Sequence, residues 1–157
     1  MKLKAFLLFF LLSSFSLLQA QTADKPLIKI ETEQTSLIYQ VADNGRLYQK
    51  YLGRKLTHDS DIRYLPQGTE VYLTHGMEDY FEPAIHIRHS DNNSSLLLKY
   101  VSHSSDAIGS GVNETVITLK DDKYPVTVKL HYVAYSKENV IRAFSEISHE
   151  EKKPVIL

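Results

Sequence analysis

The chain contains no cysteine and no tryptophan, and only five prolines and six glycines in 157 residues. Without thiols it can form neither a disulfide nor a thiolate metal centre, so its stability must come from packing. Without Trp, a sugar-stacking platform would have to be built from its ten tyrosines. No excess of basic charge is present either, since 18 Lys and Arg stand against 19 Asp and Glu. The basic residues are scattered singly, which argues against a nucleic-acid partner.

One apolar run is present, and it lies at the start. Lys2 and Lys4 precede an unbroken stretch from Ala5 to Leu12, followed by Ser-rich and apolar residues ending in Leu18-Gln19-Ala20. Such a basic, apolar, small-residue order is that of a secretory signal peptide, too short to span a bilayer, with cleavage expected after Ala20. Residues 1–20 are therefore read as a leader, 21–26 as a linker and 27–157 as one domain. Removing the leader leaves 16 basic and 19 acidic residues, a net charge of about −3. Export without disulfides suggests a bacterial periplasmic or secreted protein, with no membrane association after cleavage.

From Leu27 onward apolar residues recur at period two, the signature of strands. Strands are expected at Leu27–Ile30, Ser36–Val41, Arg46–Leu52, Glu70–Thr74, Ala84–His89, Ser95–His103, Glu114–Lys120, Val126–Tyr135 and Val140–Ser148. Asp43-Asn44-Gly45 predicts a tight primed hairpin turn, and Arg54–Thr69 reads as an excursion without regular structure. In Val126–Tyr132 the apolar side chains fall on one face, with Thr127, Lys129 and His131 on the other. The expected fold is all-β, an antiparallel sandwich. A small outer-membrane barrel is disfavoured, because few segments reach the length of a spanning strand. Val155-Ile156-Leu157 opens a further strand with no evident partner, so the sandwich is read as incomplete at its carboxy terminus.

Candidate chemistry is sparse. His86 and His89 are three apart on a strand and point to opposite faces, so they cannot share an ion. Asp59 with Asp61, Asp121 with Asp122, and Glu78 with Asp79 are the carboxylate pairs to weigh against a retaining glycosidase, which holds two about 5–5.5 Å apart. The first two pairs suit solvated loop and turn positions. The segment from Gly76 to Ala84 places acidic and aromatic residues beside Pro83, between two expected strands, where Asp79 and Tyr80 are the candidate ligand-binding residues. No catalytic residue, metal site or cofactor is assigned.

A string of segments then acquires meaning together: Leu47-Tyr-Gln-Lys-Tyr-Leu-Gly53, Tyr72-Leu-Thr-His-Gly76 with Asp79-Tyr80 and Pro83-Ala84-Ile85, Leu98-Lys-Tyr-Val-Ser-His103, Glu114–Asp121, Val128–Tyr135 and Asn139-Val-Ile-Arg142. Their order and spacing resemble the amino-terminal domain of glycoside hydrolase family 36 α-galactosidases. The resemblance implies a large β-sandwich, supersandwich-like, preceding a (β/α)₈ barrel whose two aspartates hydrolyse terminal α-linked galactose with retention. It implies homo-oligomers in which this domain lends loop residues to a neighbour, and a galactoside partner reached through the missing barrel. Phe81 stands where many relatives carry Arg, and the Arg54–Thr69 excursion looks shorter than in the bacterial tetrameric relatives. The alternative is a free-standing carbohydrate-binding sandwich, which loses most of its support if Tyr100, Tyr132 and Tyr135 all prove buried in the core.

Overall fold

A computed structural model describes residues 26–76 and 82–157. The leader and the candidate residues Asp79 and Tyr80 lie outside the described residues. Seven strands are present: β1 (Leu27–Glu31), β2 (Thr35–Val41), β3 (Leu47–Arg54), β4 (Leu98–Gly109), β5 (Val112–Asp121), β6 (Val126–Tyr135) and β7 (Val140–His149). They form a three-stranded sheet, β1-β2-β3, and a four-stranded sheet, β4-β5-β6-β7, with every neighbour antiparallel. Neither sheet closes on itself. The architecture is the expected β-sandwich.

Alternation determines which face each strand buries. In β6 the residues Val126, Val128, Leu130, Tyr132 and Ala134 all turn inward and are buried, while Thr127, Lys129 and His131 are only half-buried on the outer face. From the opposite sheet Ile28, Ile30, Leu37, Tyr39, Val41 and Leu47 complete the same core. Burying each such side chain contributes roughly 1.5–3 kcal/mol. Tyr39 of β2 and Tyr132 of β6 meet across the sandwich with ring centroids 5.3 Å apart. Burial, reinforced by the second phenol, pushes the Tyr39 hydroxyl well above the ordinary tyrosine range.

Polar contacts at both ends join the sheets. The turn between β2 and β3 departs from the primed geometry expected of it: among its residues only Gly45 has positive φ, at 78°. Its N–H donates to the Ala42 carbonyl at 3.0 Å, and Ala42 N–H donates to Arg46 at 2.9 Å. This is a loop one residue longer than a primed turn, in which glycine alone supplies the left-handed step. The Gly45 carbonyl then accepts from Tyr100 N–H at 2.8 Å, tying the hairpin tip to β4. At the other end Asn139, with φ of 54°, accepts the Thr32 and Thr35 hydroxyls at 2.5 and 2.8 Å.

Several expected strands are not strands. Residues 70–74 and 84–89 are extended but make only single bridges, Tyr48 with Glu70, Thr74 with Ile85 and Arg88 with Ile156. Their alternation is genuine, since Ile85 and Ile87 are buried while His86 and Arg88 are exposed. The period reports burial and not a ladder, because each bridge in these segments stands alone and is not extended by a second. The Arg54–Thr69 excursion contains a 3₁₀ turn, Asp59–Tyr64, anchored by buried Ile62. Ile156 has a partner after all, exchanging two hydrogen bonds with Arg88 at 2.8 and 3.0 Å.

Candidate functional site

The segment that sequence reasoning singles out begins and ends at one well-anchored stem. His75 N–H donates to the Ile85 carbonyl at 3.1 Å, and Ala84 N–H donates to Leu73 at 2.9 Å. The buried Thr74 hydroxyl donates to the Leu96 carbonyl at 2.6 Å. Gly76 turns the chain with φ of 89°, and a Cβ there would sit 3.3 Å from Ser95 Cα. Only glycine meets both conditions without strain. The described residues that flank Asp79 and Tyr80 are therefore held on a fixed base.

Beside that base lies a small cleft of about 200 Å³ lined by Gly76, Ser95, Leu96, Leu97, Asp121, Asp122, Lys123 and Tyr124. Its carboxylates are committed to structure. Asp121 accepts from Leu97 N–H at 2.5 Å and from Lys123 and Tyr124 N–H, both at 2.7 Å. Asp122 pairs with Lys99. Nearby, Asp91 accepts the Tyr124 hydroxyl at 2.9 Å, and the Asn93 N–H followed by that hydroxyl holds its carboxyl below the ordinary aspartate range. A nucleophile needs a free oxygen, and a general acid needs its proton held up to neutral pH. Asp121 is saturated by backbone donors, and Asp91 is shifted the wrong way for an acid. Asp61 is exposed, meeting only the Ser60 hydroxyl at 3.4 Å. None of these described carboxylates forms a hydrolytic pair.

The histidines divide into two kinds. His89 is buried, its Nδ1 2.6 Å from Glu151 and its Nε2 3.2 Å from the Ser95 carbonyl, with its ring stacked 3.5 Å from Tyr124. His131 lies on the outer face of the second sheet, 3.0 Å from Glu114 and stacked on Phe144 at 4.6 Å. His103 meets the Tyr100 hydroxyl at 2.8 Å. His86 points away from His89, as strand geometry requires, and instead stacks on His75 with centroids 4.0 Å apart. That meeting is not legible in sequence, because it depends on the parallel bridge between Thr74 and Ile85. Among the described residues no group of three or more His, Asp or Glu side chains converges on a metal-binding point.

The three tyrosines on which the alternative reading turns are not all buried. Tyr132 is buried and Tyr100 and Tyr135 are half-buried. The larger cleft, about 780 Å³, is lined by Glu33, Gln34, Arg54, Lys55, Leu56, Thr57 and Asn139, with no ring among them.

Comparison with known proteins gives this geometry its context. The fold is similar to the α-galactosidase from Lactobacillus brevis, with TM-score 0.70, 15% identity, and coverage of 85% of this chain but 23% of that one. It is similar to the family 36 α-galactosidase AgaA from Geobacillus stearothermophilus in its A355E form with 1-deoxygalactonojirimycin, with TM-score 0.71, 17% identity, and 83% and 23% coverage. The galactosidase domain of the α-galactosidase-sucrose kinase AgaSK gives TM-score 0.69, 20% identity, and 82% and 23% coverage. The chain thus spans less than a quarter of the length of these structures. No curated protein matches it. The model of the glycosyl hydrolase family 36 N-terminal domain matches residues 31–157, nearly the whole of the sandwich, and the chain belongs to that family.

Proposed function

We propose that this chain is the non-catalytic amino-terminal sandwich of an exported α-galactosidase, a scaffold for a barrel that hydrolyses terminal α-D-galactosyl residues. The observation that carries the reading is the family match over residues 31–157, on a sandwich in which Asp121 is engaged as a structural acceptor. Hydrolysis with retention needs two carboxylates flanking the glycosidic bond, and in this reading both come from the barrel. The sandwich contributes a rigid stem at residues 74–76 and 83–85, from which Asp79 and Tyr80 reach a galactoside held by the barrel of the same or a neighbouring subunit in a homo-oligomer. The leader at residues 1–20 directs the protein to the periplasm or the medium.

The test is direct. The chain alone is expected to release no nitrophenol from a chromogenic α-galactoside, while a chimera joining it to a family 36 barrel is expected to be active. In that chimera Asp79→Ala should raise KM with folding unchanged. Turnover by the chain alone, blocked by 1-deoxygalactonojirimycin, would overturn the scaffold reading. The free-standing binding module predicts retention on immobilised galactoside by the chain alone; the burial of Tyr132 weighs against it.

A further inference from the structure

We propose that His75 and His86 form a two-histidine site for a divalent transition-metal ion at the base of the segment that carries Asp79 and Tyr80. Their rings are stacked at 4.0 Å with planes 30° apart, and both residues are exposed. The backbones beneath them are fixed: Thr74 and Ile85 form a parallel bridge, and His75 N–H donates to Ile85 at 3.1 Å. The approach of the two backbones is therefore a property of the stem.

The pair differs from four of the other placed histidines in its hydrogen bonding. His89, His103, His131 and His149 each engage at least one ring nitrogen in a hydrogen bond. Neither His75 nor His86 has such a bond to a described residue. Imidazole nitrogen is a ligand that Zn²⁺, Ni²⁺ and Cu²⁺ accept. With Zn–N near 2.0–2.1 Å and tetrahedral angles, the two ligating nitrogens stand about 3.3 Å apart. Stacked rings 4.0 Å apart reach that separation by rotation about their side-chain bonds. Exposure leaves both free to rotate.

Two protein ligands leave the remaining coordination positions to water, so the site binds more weakly than a closed structural zinc centre and stays open to an incoming oxygen or nitrogen ligand. The ion ties residue 75 to residue 86. Protons compete for the same nitrogens, so affinity falls on acidification. The site stands independently of any sugar chemistry.

The experiment is calorimetric titration of the full chain, prepared without a histidine tag, with Zn²⁺ alone and then Ni²⁺ alone. One ion per chain is expected, with a melting temperature that rises with metal concentration. His75→Ala and His86→Ala should each weaken binding by about tenfold or more, as loss of a ligand must exceed loss of an outer-shell partner. His58→Ala, at an exposed position remote in sequence, should leave it unchanged. Spectra of the metal-free variants report whether they fold. Absence of binding to the wild-type chain at millimolar Zn²⁺, or unchanged affinity in both folded stem variants, would overturn the site.

Discussion

His86 and His89 occupy the same extended segment three residues apart, yet one faces solvent and the other the interior. His89 meets a carboxylate, a carbonyl and an aromatic ring, whereas among the described residues His86 stacks on another imidazole. The inward side of the segment is over-determined, because a buried polar group without partners would cost about 1–3 kcal/mol. The outward side carries no such obligation. In this domain structure is written on the inner faces, and whatever chemistry the domain has is left to the outer side of the stem.

The sharpest way to break that comparison is His89→Ala. It removes the ring packed on Tyr124, leaves the Ser95 carbonyl without this partner and leaves the Glu151 carboxylate with the Ser90 N–H. A loss of about 3 kcal/mol in unfolding free energy is expected, measured by urea denaturation. A change below 0.5 kcal/mol would show that the buried network is dispensable.

Much of this division is legible in the sequence. The alternation in Val126–Tyr132 places Val128 and Leu130 inward and Lys129 outward, because one-sided burial leaves a period-two trace. The same trace at Ile85 and Ile87 predicts burial but not pairing, so residues 84–89 read as a strand although only single bridges form. Ladder partners depend on which distant segment lies alongside, and no local pattern encodes that. The stacking of His75 on His86 and the capture of His89 by Glu151, 62 residues further on, are tertiary events of the same kind. The engagement of Asp121 is partly foreseeable, since an aspartate opening a turn commonly accepts from the backbone two and three residues on.

The next largest effect belongs to the stem. Gly76→Ala forces a side chain into a φ of 89° and brings its Cβ to 3.3 Å from Ser95 Cα. A destabilisation of about 1–3 kcal/mol is expected by thermal unfolding. An unchanged melting temperature would mean that the stem is not held as tightly as its hydrogen bonds indicate.

A smaller effect is a matter of pH. The Ser90 N–H, followed by His89, holds the Glu151 carboxyl below its ordinary value of 4.5. The folded chain thus binds this proton less readily than the unfolded chain. The contribution is complete above about pH 4.5 and is lost as pH falls through the lower folded value. Glu151→Gln should therefore flatten the acid limb of the stability profile and leave its shape near neutrality unaltered. An acid limb identical to that of the wild type would place the controlling carboxylates elsewhere, with Asp91 the first alternative, since its carboxyl is lowered in the same direction.

The smallest effect should come from His86→Ala, and its smallness is the informative result. His86 is exposed, and among the described residues its side chain stacks on the His75 ring. A surface substitution of that kind stays within about ±0.5 kcal/mol in the absence of a ligand. If urea denaturation of the metal-free chain gives a loss near that of His89→Ala, the outer side of the segment is as structural as the inner one and the comparison collapses. If the loss is near zero, the two histidines are separated by burial alone, because a ring that contributes nothing to folding has been left free to bind.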